Sequence, residues 1–211
     1  MKSINLSSKT ILFYRIIFAG LSWFTLITSA IIYTVSTGSI LEWFNSFKAF
    51  TMQTNLLVTI WFTLAILSYN NIEILDKITS PLKGAFTMYI TITFVVFAIL
   101  LSPFYQPTGY AAFSNIVLHY ITPIAFIVDW VFTENKIRYR WNYLIYWIIY
   151  PLCYIIFIII HGAFTGSYLY YFLDISELGI PIFFISISIL LAFGIGLACL
   201  YILINRKRVL V

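Results

Sequence analysis

The sequence predicts an all-α polytopic membrane protein: a bundle of six transmembrane helices with both termini in the cytoplasm. Three observations lead there. Hydrophobic residues make up 62% of the 211 residues and charged ones only 9%, with a mean hydropathy of +0.99, whereas an average soluble domain is about 45–50% apolar and about 25% charged. The apolar residues gather into six runs, each close to the roughly 20 residues that a helix needs to cross a bilayer. Basic residues collect at alternate ends of those runs. A soluble globular domain is excluded, and the chain reads as a single transmembrane domain over 1–211.

The first run, 11–35, is longer than a signal-peptide core of about 7–15 residues and lacks an A-x-A-like cleavage site, so it reads as a retained helix. The second covers 47–69. The third covers 85–101 and is stopped by Pro103 and Pro107. The fourth, 111–132, and the fifth, 141–161, carry Pro123 and Pro151 in their interiors. The sixth, 180–204, contains Ala192, Gly194, Gly196 and Ala198, two small-xxx-small pairs that allow close helix packing. Hydrocarbon offers the backbone no partners, so each run should be helical.

Charge sets the expected orientation. Lys2, Lys9, Arg15, Lys77, Lys83, Lys136, Arg138, Arg140, Arg206, Lys207 and Arg208 all fall on one side of this topology, leaving Lys48 alone on the other. That side is cytoplasmic by the positive-inside rule. The net charge of +5 then suits anionic headgroups, not nucleic acid. The outer connections are 37–46, 102–110 and 162–179, the last rich in Gly and Tyr. Trp43, Tyr105 and Tyr110 on the outer side, and Trp130, Tyr139, Trp141 and Tyr143 on the inner side, read as interfacial belts. Cys153 and Cys199 lie inside apolar runs and imply no disulfide framework.

Polar residues inside such runs are costly and point to a bundle interior or a wet cavity. Thr51 and Asn55 are four apart on the second helix and share a face, with Thr54 beside them. Such residues also serve as glue between membrane helices. Asn115, His119, Thr122, Phe126 and Asp129 form a four-three-four-three stripe along the fourth helix. Pro123 has no N–H for the carbonyl of His119, so a kink and a free acceptor are expected beside the imidazole. Asp129, near the inner end, is expected to pair with the basic loop or to cap a neighbouring helix. On the fifth helix Tyr150, Tyr154 and His161 can share a face, and His161 also suits an interfacial position. The depths coincide: Thr51, Asn55, His119 and His161 fall in one layer beneath the outer surface. A hydroxyl, an imidazole and amide donors suffice for acyl transfer. No metal or cofactor motif is present, neither HExxH, nor a Cys/His ligand set, nor a Gly-rich phosphate loop.

Three segments then carry a resemblance. They are Phe50-Thr51-Met52-Gln53-Thr54-Asn55-Leu56, then Leu118-His119-Tyr120-Ile121-Thr122-Pro123-Ile124 followed by Asp129-Trp130, and Tyr150-Pro151 with His161-Gly162 and Gly166-Ser167-Tyr168-Leu169-Tyr170. Together they resemble the androgen-induced and androgen-dependent-TFPI-regulating-protein family, in particular its bacterial six-helix relatives. The His-to-Pro spacing is one residue shorter here than in the animal members. The resemblance implies a multi-pass hydrolase of the cell membrane, acting on lipid esters such as fatty acid esters of hydroxy fatty acids. Thr51 matches the family's nucleophile and His119 its histidine. On this reading Asn55 and Asn115 support the oxyanion, and His161 or water assists deacylation. The rival expectations are a small-molecule binding or transport subunit of a membrane importer, and a non-enzymatic bundle whose polar layer only joins helices.

Overall fold

The computed structural model describes residues 7–134 and 139–208, with the backbone alone for 71–80 and 208. Among the described residues there is no strand. Six helices among the described residues are long and apolar enough to cross a membrane: Ser8–Thr37, Phe50–Leu67, Pro81–Phe104, Gly109–Thr133, Tyr143–Thr165 and Ile175–Lys207. They belong to two compact units, Met1–Arg138 and Tyr139–Val211.

The first unit opens with α1 (Ser8–Thr37), whose first turn is capped by the Ser7 side chain accepting from the Thr10 N–H. Gly38 ends it at φ 72°, a left-handed conformation that glycine adopts without strain, and donates its N–H to Thr34. A short α2 (Ile40–Asn45) and a 3₁₀ turn lead into α3 (Phe50–Leu67). Next comes α4 (Ile72–Val96), continued by a π-helical turn at Phe97–Leu101 and a 3₁₀ turn at Ser102–Phe104. The fourth span is α5 (Gly109–Ile116), a second π turn at Val117–Ile121, and α6 (Thr122–Thr133).

The third helix starts thirteen residues before the expected 85. Glu73, Asp76 and Lys77 depress the hydropathy of that stretch without preventing it from being helical. Hydropathy marks where a helix is apolar, not where it begins. Lys83 is consequently not a loop residue but a helical one, 2% exposed.

The centre of this unit is aromatic. Phe126 meets Trp61 and Phe62 edge-on, with centroids at 5.3 and 5.2 Å, and Val58, Ile90, Ala19 and Ala65 pack around them. In lipid the driving force is packing and interhelical hydrogen bonding, at about 0.6 kcal/mol per bond. Such bonds join Ser22 to Thr122 at 3.0 Å, Trp23 to Thr63 at 2.9 Å, Thr54 to Thr93 at 2.8 Å, and the Tyr110 hydroxyl to the Thr25 carbonyl at 2.6 Å.

Among the described residues, buried charges on α1, α4, α6 and the C-cap of α6 meet in one cluster. Asp129 is expected from sequence to pair with the basic loop, whose Lys136 and Arg138 lie outside the described residues, or to cap a neighbouring helix; its described charged partners lie on α1 and α4. It accepts from Arg15 Nε at 2.8 Å and lies 2.9 Å from Lys83 Nζ, which is itself 3.7 Å from Glu134. The Trp61 ring lies 5.0 Å from the Arg15 guanidinium carbon and 4.5 Å from Lys83 Nζ. Arg15 and Lys83 are thus neutralised interior groups, not part of the surface charge that sequence assigned to them. Trp130 and Tyr139 are likewise 1% and 0% exposed, packed inside and not arrayed in a belt. Lys2, Lys136 and Arg138 lie outside the described residues, as do the side chains of Lys77 and Arg208.

The second unit pairs α7 (Tyr143–Thr165) with α8 (Ile175–Arg208), joined through a 3₁₀ turn at Tyr171–Leu173. Gly179, at φ 69° and ψ 162°, interrupts α8, so the uninterrupted helix begins at the expected residue 180. The Tyr139 N–H donates to Asn205 Oδ1 at 2.7 Å and its carbonyl accepts from Arg206 at 3.0 Å. Gly162 lies so close to the Tyr168 ring that an added Cβ would sit 2.2 Å from it.

Candidate functional site: a threonine hydroxyl on a histidine nitrogen

Thr51 is the second residue of α3, whose N-cap position is Ala49, in an extended conformation and without a capping side chain. The start of α3 therefore brings a hydroxyl and the positive end of a helix dipole to one place. Thr51 Oγ1 lies 3.1 Å from His119 Nε2. His119 Nδ1 lies 3.1 Å from the Asn115 carbonyl oxygen. A carbonyl only accepts, so Nδ1 carries the proton and Nε2 presents its lone pair to the threonine hydroxyl, which donates. This is the tautomer a general base requires, oriented through its second nitrogen. In a serine-type triad a carboxylate fills that orienting role; here a backbone carbonyl fills it. Both side chains are partly exposed. The imidazole is stacked on Phe97, with ring centroids 3.6 Å apart and planes 19° apart.

The π turn at Val117–Ile121 explains how His119 is held. Pro123 lacks an N–H and its ring repels the carbonyl four residues back, that of His119. The helix widens: the Thr122 N–H bonds Val117 O, five residues back, instead of Leu118 O. The Leu118 carbonyl then has no donor at position i+4, and none at i+5 because that residue is Pro123. Asn55 supplies one, with Nδ2 2.9 Å from Leu118 O and 2.8 Å from Thr51 O. The same device recurs in α4, where the π turn at Phe97–Leu101 precedes Ser102-Pro103 and the Ser102 N–H bonds Phe97 O.

Of the five candidate site residues, the structure joins four in the first unit, in roles that differ from expectation for two. Thr51 and His119 meet directly. Asn55 is 0% exposed and its amide nitrogen bonds two backbone carbonyls, so it braces backbone instead of facing an oxyanion. Asn115 acts through its main-chain carbonyl, while its side-chain oxygen is buried without a partner. His161 belongs to the second unit, on the last turns of α7, partly buried with its ring 6.1 Å from Phe157. In that unit Tyr154 and Tyr170 share a hydroxyl–hydroxyl hydrogen bond of 3.1 Å.

Sequence reasoning missed Phe97, a phenylalanine indistinguishable from its apolar neighbours. The Ser102-Pro103 step after it was the available signal, because it repeats the Thr122-Pro123 step beside His119. Among the described residues no three His, Cys, Asp or Glu side chains group as metal ligands. No family model, curated protein or solved structure matches the chain.

Proposed function

We propose that this is a multi-pass protein of the cell membrane, with both termini cytoplasmic, that hydrolyses lipid esters with Thr51 as nucleophile and His119 as base. The observation that carries the reading is the 3.1 Å contact between Thr51 Oγ1 and an Nε2 left unprotonated by the bond from Nδ1 to Asn115. A hydroxyl becomes a useful nucleophile only with such a base in reach. Fatty acid esters of hydroxy fatty acids are the substrate class, on the resemblance of the segments around Thr51 and His119 to the hydrolase family named above. An acyl chain in the surrounding lipid needs no aqueous transfer to reach a site on these helices.

In the first step Thr51 Oγ1 attacks the ester carbonyl carbon and its proton passes to His119 Nε2. The positive end of the α3 dipole, beside Thr51, favours the developing oxyanion. Collapse breaks the bond to the alkoxy group, which leaves with the proton from Nε2. Water then attacks the acyl-threonine, gives a proton to Nε2, and releases the fatty acid as Oγ1 recovers its proton. The imidazolium formed in each half keeps its Nδ1–H on the Asn115 carbonyl.

The test is hydrolysis of a long-chain fatty acid ester, together with covalent labelling by a fluorophosphonate, on the purified protein in detergent. Thr51→Ala and His119→Ala should each lower hydrolysis by at least about 10³-fold and abolish labelling, since members of such a pair act as a unit. Either variant hydrolysing as fast as the parent removes the assignment. Survival of the fold without any activity in the parent would leave the contact as interhelical glue, like that between Ser22 and Thr122.

A further inference from the structure

We infer that Asn55 is a positioning residue, whose side-chain amide keeps the fourth helix in its widened turn and so holds His119 against Thr51; the catalytic part of this inference rests on the hydrolase reading above. Asn55 Nδ2 bonds the carbonyl of Thr51, the residue that carries the hydroxyl, and the carbonyl of Leu118, the residue before the imidazole. One amide nitrogen therefore links the two backbones that must stay in register.

The Leu118 bond has no substitute within the helix. Thr122 N–H is engaged with Val117 O, and Pro123 has no N–H to offer. A carbonyl left without a donor in an apolar interior is costly, because nothing around it can replace the lost bond. Without Asn55 the cheapest remedy is for the Thr122 N–H to return to Leu118 O, which closes the π turn to an α turn. An α-helix advances about 100° per residue, so removing the extra residue turns the stretch before it, Asn115 included, by up to that angle relative to α6. The two flanks are separately anchored, by Tyr110 on Thr25 and by Thr122 on Ser22, so the turn itself must take up the strain. His119 would then lose its Nδ1 partner, its alignment with Thr51, or both.

The surrounding sequence provides a selective probe. Thr59 and Thr63 on α3 each bond the carbonyl four residues back, at 2.7 and 2.9 Å. A threonine at 55 should do the same to Thr51 O, keeping one of the two Asn55 bonds and losing the one to Leu118. The chain has two histidines, so nitrogen-15 NMR of histidine-labelled protein, assigned with His161→Asn, reads the His119 tautomer without any need for activity.

In the parent His119 should be the Nδ1–H tautomer. Asn55→Thr should shift it toward the Nε2–H form and slow fluorophosphonate labelling about 100-fold, the cost of roughly 1 Å of misplacement, with elution volume and helical content unchanged. Asn55→Gln, which keeps a two-hydrogen donor, should restore the Nδ1–H tautomer and label within about 10-fold of the parent. Asn55→Leu serves as the second probe if Asn55→Thr does not assemble. An unchanged tautomer with lost labelling would make Asn55 an oxyanion donor and overturn the proposal. An unchanged tautomer with unchanged labelling would reduce it to glue and overturn it equally. If the parent itself does not label, the hydrolase reading fails, while the tautomer shift still decides whether Asn55 positions His119.

Discussion

Replacing Asp129 with Asn removes one negative charge from a buried cluster at almost constant shape. The described members of the cluster are two cations, Arg15 and Lys83, and two carboxylates, Asp129 and Glu134, and their charges balance. With Asn at 129 they carry a net positive charge, while Arg15 and Lys83 remain 6% and 2% exposed. Lys83 retains Glu134 at 3.7 Å. Arg15 has a hydrogen bond of 3.4 Å to Thr133 and the Trp61 face at 5.0 Å, neither of which replaces a carboxylate. Removing one partner of a buried ion pair costs about 3–5 kcal/mol, and Asp129→Asn belongs in that range because, among the described residues, Asp129 is the one carboxylate paired with this guanidinium. Arg15→Met combined with Asp129→Asn restores neutrality and leaves the Lys83–Glu134 pair. The double variant should therefore be more stable than Asp129→Asn alone, with a coupling of about 1.5 kcal/mol or more between the two sites. Unfolding by dodecyl sulfate in mixed micelles, followed through tryptophan emission, measures both quantities. A single variant within about 1 kcal/mol of the parent, or effects that simply add, would refute the view that these charges stabilise one another.

Two further outcomes follow from the second unit. Gly162→Ala places a methyl group 2.2 Å from the Tyr168 ring, so the loop should be displaced at a cost of about 1–3 kcal/mol, read as faster hydrogen exchange over residues 166–171; Gly20→Ala, with nothing within 4 Å, should leave exchange as in the parent. Asp174 accepts from the Ser176 hydroxyl and from the Ser176 and Glu177 N–H groups, and these bonds, the Ser176 hydroxyl first, hold its carboxyl below the ordinary value of 3.8. The capping contribution is thus complete above that value and lost as pH falls through the lower one. Protection of the Ser176 and Glu177 amides, corrected for intrinsic exchange, should drop in acid for the parent and be pH-independent in Asp174→Asn, which caps without titrating.

Much of the candidate site was legible in one dimension. Thr51 with Asn55, and Asn115 with His119, are each four residues apart, and that spacing alone places each pair on one helix face. Pro123 announced a disturbed hydrogen-bond ladder beside His119. What the spacing did not disclose was the form of the disturbance, a π turn, or that Asn55 from another helix would complete it. Periodicity says which residues share a face and nothing about which face meets it. The charged residues failed for the same reason in a sharper form. Arg15 and Lys83 sit next to helix ends in the linear order, where cations normally meet headgroups, and only the approach of Asp129 turns both inward.

Composition and hydropathy alone determined that the chain is helical, with six stretches long enough to cross a bilayer, because an apolar solvent leaves the backbone no choice but to bond to itself. The tertiary structure alone decided that Thr51 meets His119 across 68 residues of chain and that Arg15 meets Asp129 across 114. A helix turns on interactions three to five residues apart, whereas the identity of its neighbours depends on the packing of every helix in the unit at once.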